Sequence, residues 1–216
     1  MKKVYLLMED KWHKRDVILP GMEAALGAGE FAAADDPEDI PWDTLERDVS
    51  LFVSQKGNGT ELPDGSLLNW ITEERTRRLW DYVNTGGGLL FIHSGTVLDS
   101  AGPLYRKLVG GIFLRHPEQC PVTYAPLRNG HPVVEGVEPF TVPDEHYYCE
   151  LFVEALHPLM ICGSAGNPAA IAGWYQEFGA GRSVSLTPGH TLEAVLNPNM
   201  TRLIGNAVKW LARINA

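Results

Sequence analysis

Three glycines at positions 86–88 lead into four consecutive large apolar residues at 89–92, and His93, Ser94 and Gly95 follow directly. An uninterrupted apolar run of this length is typical of a strand in a parallel sheet that is covered on both faces. Parallel strands need crossover connections, which are usually helices packed on the sheet. The segment therefore predicts an α/β fold in which residues 89–92 form a central strand.

Short apolar runs alternate with helical patterns through the first half of the chain. Strands are predicted at 4–8, 31–34 and 49–53. A first helix is expected to hold Pro20 in its opening turn, where proline is tolerated. A second helix is expected to start after Thr72, a good N-cap residue, and to stop at Gly86. This alternation extends the α/β prediction towards the start of the chain.

The second half of the chain contains more turns. Strands are predicted at 121–125, 159–162, 170–174 and 183–186, and the pattern there is more typical of hairpins. A final helix is predicted from its apolar stripe, which comprises Leu203, Ile204, Ala207, Val208 and Leu211. We therefore expect one domain, residues 1–216, with a mostly parallel sheet, helices on both faces and some antiparallel additions near an edge.

Charge and cysteine content narrow the class of partner. The 216 residues carry 18 basic and 27 acidic side chains, a net charge of −9, which argues against binding nucleic acid or an anionic membrane surface. We find no signal peptide and no apolar stretch that could span a membrane. The chain has three cysteines, Cys120, Cys149 and Cys162, and an odd number cannot all pair in disulfides within the chain. Their spacing is not that of a zinc or redox motif. A cytoplasmic, reducing location is the resulting expectation.

Ligands of open α/β sheets bind outside the carboxyl ends of the strands, so the loops there are the candidate sites. His13 follows the first predicted strand, His93 and Ser94 follow the central one, and His190 follows the strand at 183–186. The turn at His93–Ser94–Gly95 resembles a nucleophile elbow, although the match to G-x-S-x-G is imperfect. His93 can equally be a hydrogen-bonded core histidine, and Ser94 a small residue that a tight turn requires.

A second candidate group lies at positions 144–147, where carboxylates adjoin imidazole and phenol, with Glu150 close behind. These residue types suit general acid–base catalysis, metal binding or hydrogen bonding to sugar hydroxyls. A solvated acidic turn after Pro143 is the alternative. Three further histidines, His116, His131 and His157, each precede a proline and are interpreted as turn or extended positions.

Four motifs occur in a characteristic order, and a terminal helix NAVKWLA at 206–212 follows them. They are GGGLLFIHSG at 86–95, GHPVVEGVEPF at 130–140, PDEHYYCELF at 143–152 and GAGRSVSLTPGH at 179–190. Together with the strand, His13 loop and LPGMEAAL segment near the start, they make the chain resemble the trehalose-utilisation, or ThuA-like, family. The resemblance covers essentially the whole chain and implies a flavodoxin-like fold, like that of the class I glutamine amidotransferases.

That superfamily places a cysteine at the elbow, assisted by a histidine and a glutamate. Here the elbow position holds His93, His190 resembles the assisting histidine, and no cysteine is near the elbow in sequence. Hydrolysis of glutamine needs a thiolate nucleophile, so we exclude it. The resemblance instead implies a role in the use of trehalose and related disaccharides, including their keto-sugar derivatives.

Carried over to this sequence, the resemblance implies a site with catalytic and substrate-binding members. The catalytic candidates are His93, Glu145, Tyr147 and His190. The substrate-binding candidates are Trp12, His13, Ser94, Glu150 and Arg182. The orientation of His146 stays open.

Two functions from different classes fit this set. One is an enzyme that acts on a sugar by acid–base chemistry, or with a divalent metal such as zinc held by members of the group His13, His93, Glu145 and His190. The other is a non-catalytic sugar-binding or regulatory domain on a degenerate amidotransferase scaffold. Both take a small sugar as partner, no other cofactor is indicated, and a homo-oligomer is compatible with either.

Overall fold

The computed structural model of the chain describes residues 3–62, 64–152 and 156–213. It contains thirteen described strands and six described α-helices. The strands are β1 (Lys3–Leu7), β2 (Phe31–Ala34), β3 (Val49–Ser54), β4 (Thr60–Glu61), β5 (Leu67–Leu68), β6 (Gly88–Ile92), β7 (Gly111–Arg115), β8 (Cys120–Pro126), β9 (Phe140–Asp144), β10 (Tyr148–Leu151), β11 (His157–Ser164), β12 (Asn167–Phe178) and β13 (Gly181–Leu186). The helices are α1 (Arg15–Leu26), α2 (Leu45–Asp48), α3 (Glu73–Asn84), α4 (Pro103–Val109), α5 (Leu192–Leu196) and α6 (Pro198–Ala212).

Nine strands form one sheet in the order β2-β1-β3-β6-β13-β12-β11-β8-β9. The first five pair in parallel, and their chain order 2-1-3-4-5 is that of flavodoxin-like sheets. The other four extend the sheet through antiparallel pairs beyond β13. The predicted α/β fold, with a mostly parallel central sheet and antiparallel additions, is confirmed. Two small antiparallel sheets, β4–β5 and β7–β10, lie outside it.

The central strand β6 shows why the sheet needs helices on both sides. All five of its residues are buried, and their side chains alternate between the two hydrophobic cores. Leu90 and Ile92 pack in the core beneath α1, α5 and α6, whereas Leu89 and Phe91 pack in the core beneath α2, α3 and α4. The apolar run at 89–92 therefore occupies the predicted central position.

The first helix differs from its prediction at the amino end. It begins at Arg15, so Pro20 lies inside it and not in its opening turn. The residues before Pro20 extend the helix and place Ile18 on the same buried face of α1 as Gly21 and Met22. A proline there removes one backbone hydrogen bond, a cost that the burial of this face offsets. The N-cap at Thr72 is confirmed, since its hydroxyl accepts from the N–H of Arg75 at 3.2 Å.

Three strands outside the sequence prediction build one wall of the site. They are β7, β9 and β10, and each is short with alternating or partial burial. The alternative of a solvated acidic turn after Pro143 is wrong, because Pro143 and Asp144 end strand β9 and Asp144 is fully buried. No helix among the described residues is long and apolar enough to cross a membrane.

Candidate functional site

Loops that follow β1, β3, β6 and β13 meet at one edge of the sheet, because these four strands run parallel and end together. The loops carry His13, residues 55–59, His93 and His190 respectively. In a sheet of this order the connections diverge on either side of β1 and β3, and ligands bind at such a point. Histidines that follow separate strands therefore meet because the strands are neighbours in the sheet.

Asp10 fixes the position of His13. One oxygen of its carboxylate accepts from the Nδ1 of His13 at 2.8 Å and from the backbone N–H groups of His13 and Trp12. The other oxygen accepts from the backbone N–H of Gly57 at 2.9 Å. Burial opposes ionisation of Asp10, but these donors outweigh it and hold the pKa of the carboxyl well below its usual range.

His93 occupies the elbow directly after β6. Its φ of 46° lies in the left-handed region, which is unusual for a residue with a side chain. A Cβ at Gly95 would lie 2.2 Å from the carbonyl oxygen of Ser54, so the turn needs glycine there. The Nδ1 of His93 donates to the carbonyl oxygen of Thr187 at 2.7 Å, which leaves Nε2 facing the other polar groups. The strained backbone and this hydrogen bond together aim the ring.

Glu145 reaches the same place from the antiparallel side of the sheet, at the end of β9. The preceding carboxylate of Asp144 is fully buried and accepts four hydrogen bonds. The donors are the backbone N–H groups of Glu145, Gly189 and His190, each at 2.9 Å, and the hydroxyl of Tyr124 at 3.1 Å. Asp144 thus ties the loop that carries His190 to the strand that carries Glu145.

Three polar atoms form a nearly equilateral triangle at the centre of the site. His93 Nε2, His190 Nδ1 and Glu145 Oε2 lie 3.3 Å from one another in each pair. The ring of His13 is adjacent, with its centroid 4.8 Å from that of His93 and 5.1 Å from that of His190. His13, His93, Glu145 and His190 each offer one ligand atom, all within 4.8 Å of one another, so these four residues could hold a metal ion.

The charges within this cluster are strongly coupled. Burial raises the pKa of Glu145, but His93, His190 and His116 outweigh that effect and lower it to about 2. Burial disfavours the charged form of His93, yet Glu145 and Asp144 outweigh it and raise the pKa of His93. Burial lowers the pKa of His13, and burial with the charge of His93 lowers that of His190. The pKa shifts of His93 and Glu145 therefore run in opposite directions, and each favours the charged form of its group.

An aromatic wall encloses the cluster on the side of the β7–β10 sheet. The ring of Tyr147 stacks on His93 at 4.2 Å between centroids and contacts Phe113 at 4.3 Å. His116 stacks farther out on Tyr147, and its Nε2 lies 3.5 Å from Glu145 Oε1. Burial raises the pKa of Tyr147 well above its ordinary value, so its hydroxyl keeps its proton.

The cluster opens into a cavity of about 670 Å³. This volume lies in the range of small-molecule sites, about 300–1,000 Å³. Five of the predicted site residues other than His93 and Glu145 line it or stand at its rim, namely Trp12, His13, Ser94, Tyr147 and His190. Glu145 also lines it, and Trp12 is 71% exposed. His93 is fully buried behind this surface, so its effect on a ligand passes through Glu145 and His190.

Two predicted substrate-binding residues lie elsewhere. Arg182 stands near the amino end of β13, at the opposite edge of the sheet, where its guanidinium donates to the carbonyl oxygen of Trp210. Glu150 is exposed on β10, opposite Ile112, and does not line the cavity. Arg182 is distant because the site lies at the carboxyl end of β13 and Arg182 is near its amino end. Glu150 is outside the cavity because side chains alternate between the two faces along β10.

The orientation of His146 and the state of the cysteines are also settled by packing. His146 shares a 2.8 Å hydrogen bond with the hydroxyl of Ser164 and stacks on Tyr148, away from the cavity.

Burial raises the pKa of Cys149 and Cys162 to about 12, and all three cysteines are free and outside the cavity lining. The site therefore offers no thiolate nucleophile.

The predicted catalytic and substrate-binding residues omit three that the structure places in the site, although Asp144 belongs to the candidate group at 144–147. His116 was assigned to a turn because proline follows it, yet it lines the cavity. Asp10 and Asp144 act by holding neighbouring groups, and nothing in their local sequence shows this. For Asp10, the only available signal was its position three residues before His13 in a loop after a strand.

Comparisons with known proteins agree with this fold. The family model ThuA, described as trehalose utilisation, matches residues 45–211. A ThuA-like protein from Parabacteroides merdae has a TM-score of 0.73 and 17% identity over 98% of this chain and 90% of its own. A ThuA-like protein from Bacteroides uniformis has a TM-score of 0.72 and 17% identity, over 97% of this chain and 91% of its own. A cytoplasmic protein from Salmonella typhimurium has a TM-score of 0.65 and 14% identity, over 97% of this chain and 98% of its own.

No curated protein matches the chain. At these identities the structural likenesses establish the fold alone. The family model, in contrast, covers most of the sequence, including the elbow at His93, Glu145 and His190. The chain therefore belongs to the ThuA family, with a role related to trehalose utilisation.

Proposed function

We propose that the protein is an enzyme of carbohydrate metabolism that acts on a trehalose-type disaccharide or its keto-sugar derivative. The observation that carries this proposal is the triangle of His93, His190 and Glu145 at the base of a cavity of about 670 Å³. Clustered ionisable groups with mutually shifted pKa values are typical of catalytic sites. A purely sugar-binding domain needs aromatic and hydrogen-bonding surfaces but no such cluster.

The exposed members of the cluster define the chemistry. Glu145 is ionised because its pKa is about 2, so it is an acceptor for a sugar hydroxyl and only a weak base. His190 stands beside it with its pKa lowered and orients or polarises the same oxygen. The hydroxyl of Tyr147 keeps its proton and can donate. Buried His93 is among the groups that lower the pKa of Glu145 and so favour its ionised form.

The rim of the cavity suits the face of a sugar ring. Trp12 projects from the loop after β1 and is largely exposed, as expected for an aromatic ring that stacks on a ligand. Lys11, beside it, pairs with Glu61 at 2.7 Å. A mixed aromatic and polar rim fits an uncharged polyhydroxylated ligand. The location we propose is cytoplasmic, supported by the three free cysteines.

Turnover of defined sugars tests this function. Trehalose, sucrose and maltose, each also in oxidised keto form, are incubated with the chain, and products are followed by nuclear magnetic resonance. We expect conversion of at least one sugar, with losses of at least about 100-fold in Glu145→Gln and His190→Asn, because general acid–base groups contribute about that much. His157→Gln, an exposed histidine outside the cavity lining, is the matched control.

Two outcomes contradict the proposal. Saturable binding of a sugar without any conversion assigns the chain to the binding class. Conversion that is equal in the wild type, Glu145→Gln and His190→Asn removes the cluster from the reaction.

A further inference from the structure

We propose that His13, His93, Glu145 and His190 bind one divalent transition-metal ion of the zinc type, which contacts the sugar's oxygen atoms in the cavity. This inference rests on the site of the proposed function and names the group that polarises the substrate there. A bound ion of this kind acts as a Lewis acid on a carbonyl or hydroxyl oxygen.

The spacing of the polar atoms is the first argument. Zinc bonds of about 2.0–2.1 Å in a tetrahedron put neighbouring ligand atoms about 3.3–3.4 Å apart. The three distances among His93 Nε2, His190 Nδ1 and Glu145 Oε2 are each 3.3 Å. Hydrogen bonds between such groups are usually about 2.7–3.2 Å long. Three equal distances beyond that range match the edges of a coordination polyhedron.

The outer hydrogen bonds of the rings are the second argument. The Nδ1 of His13 donates a hydrogen bond to the carboxylate of Asp10 at 2.8 Å, and the Nδ1 of His93 donates one to the carbonyl oxygen of Thr187 at 2.7 Å. Metal-binding histidines commonly have such a carboxylate or carbonyl partner, because it fixes the tautomer and orients the ring. Both rings are therefore oriented with Nε2 towards the cluster, and a metal ion bound there would displace any proton from the Nε2 of His93.

An unpartnered atom is the third argument. His13 Nε2 is buried, with no hydrogen-bond partner within the described part of the chain, and the residue is only 7% exposed. A buried nitrogen without a partner costs free energy unless a ligand or ion satisfies it. A single proton on His93 can bridge to His190 or Glu145 but cannot serve His13 as well. One cation between the four residues satisfies all of them.

The donor set determines the class of ion. Three imidazoles and one carboxylate suit zinc, cobalt or iron, whereas magnesium and calcium prefer oxygen ligands. The ligand atoms lie within 4.8 Å of one another, so binding one ion with all four requires His13 to approach the triangle. His13, Glu145 and His190 also line the cavity, which leaves the ion accessible from that side for a sugar oxygen.

Metal titration of the full chain tests the assignment. Protein freed of metal with a chelator and then dialysed is titrated calorimetrically with Zn²⁺, Co²⁺ and Mg²⁺. We expect one Zn²⁺ or Co²⁺ per chain and no saturable binding of Mg²⁺. His93→Ala and His190→Ala should each weaken Zn²⁺ binding at least about 100-fold, and Asp10→Asn about 10–100-fold through loss of the outer partner. His157→Ala, outside the cluster, should bind like the wild type.

X-ray absorption of the zinc-loaded wild type keeps the test independent of how the variants fold. Its spectrum should show imidazole scattering and nitrogen or oxygen ligands. Absence of saturable Zn²⁺ binding, unchanged affinity in His190→Ala, or sulfur ligands from the cysteines each overturns the inference.

The two proposals fail in different ways. Zinc binding with this stoichiometry but without conversion of any sugar rejects the proposed enzyme and leaves the metal site standing. Sugar conversion that persists at full rate in chelator-treated protein, with no zinc bound, rejects the metal site and leaves the enzyme standing.

Discussion

Replacing Asp144 with asparagine tests the buried carboxylate that joins the two sides of the site. Asparagine retains one accepting oxygen, which can continue to serve the N–H groups of Glu145 and His190. The N–H of Gly189 then loses its acceptor, whereas Tyr124 can reverse its hydroxyl and accept from the new amide. A hydrogen bond to a charged group contributes about 1.5–3 kcal/mol, and the two retained bonds weaken to neutral ones.

We therefore expect Asp144→Asn to lower the free energy of unfolding by about 2–4 kcal/mol. Urea denaturation with an unchanged m-value measures the difference. Asp64→Asn is the control, because exposed Asp64 also accepts two hydrogen bonds, both from Ser66, yet should change stability by less than about 0.5 kcal/mol. A loss below about 1 kcal/mol in Asp144→Asn would refute the reasoning, since the buried charge would then cost as much as its four bonds return.

Three further predictions concern the elbow and the cluster. Gly95→Ala should destabilise the fold by about 3 kcal/mol, because its Cβ would lie 2.2 Å from the backbone oxygen of Ser54. Gly163→Ala meets open space and should not destabilise the fold, and thermal unfolding compares the two variants. Ser94→Ala should retain sugar turnover, and its loss would support a serine nucleophile. In chelator-treated protein, folding lowers the pKa of Glu145 from 4.5 to about 2. The ionised carboxylate therefore stabilises the folded state above pH 4.5, and this contribution is lost as the pH falls towards 2. Glu145→Gln should lack that part of the pH dependence, which has an upper limit of about 3 kcal/mol by acid titration of the unfolding free energy.

The parallel half of the fold could be predicted because its central strands β3, β6 and β13 are buried on both faces. Residues 89–92 have no polar member, and this marks them as a central strand whatever surrounds them. The antiparallel strands gave weaker signals. In β9, Pro143 lies beside acidic residues, and this suggests a turn unless the partner strand β8 is known.

The site residues that follow parallel strands could be predicted, and those that depend on antiparallel pairing could not. His13, His93 and His190 each follow a predictable strand, so their meeting at one sheet edge follows from topology. The contribution of His116 depends on the β7–β10 pairing, which brings it beside Glu145 and was not predicted. Arg182 was misplaced although its sequence held the signal, since it begins a strand whose carboxyl end carries the site.

The strand β13 comes last in the chain among the described strands, yet it occupies the middle of the nine-stranded sheet. It pairs in parallel with β6 on one side and antiparallel with β12 on the other, so it is the seam between the two halves. The contact of Phe91 with Ser185 spans a long stretch of chain, and closing such a loop is slow. We expect the halves to unite late in folding, when β13 inserts. His93, Glu145 and His190 come together in that same step, so a competent site is also a signature of a chain that has finished folding.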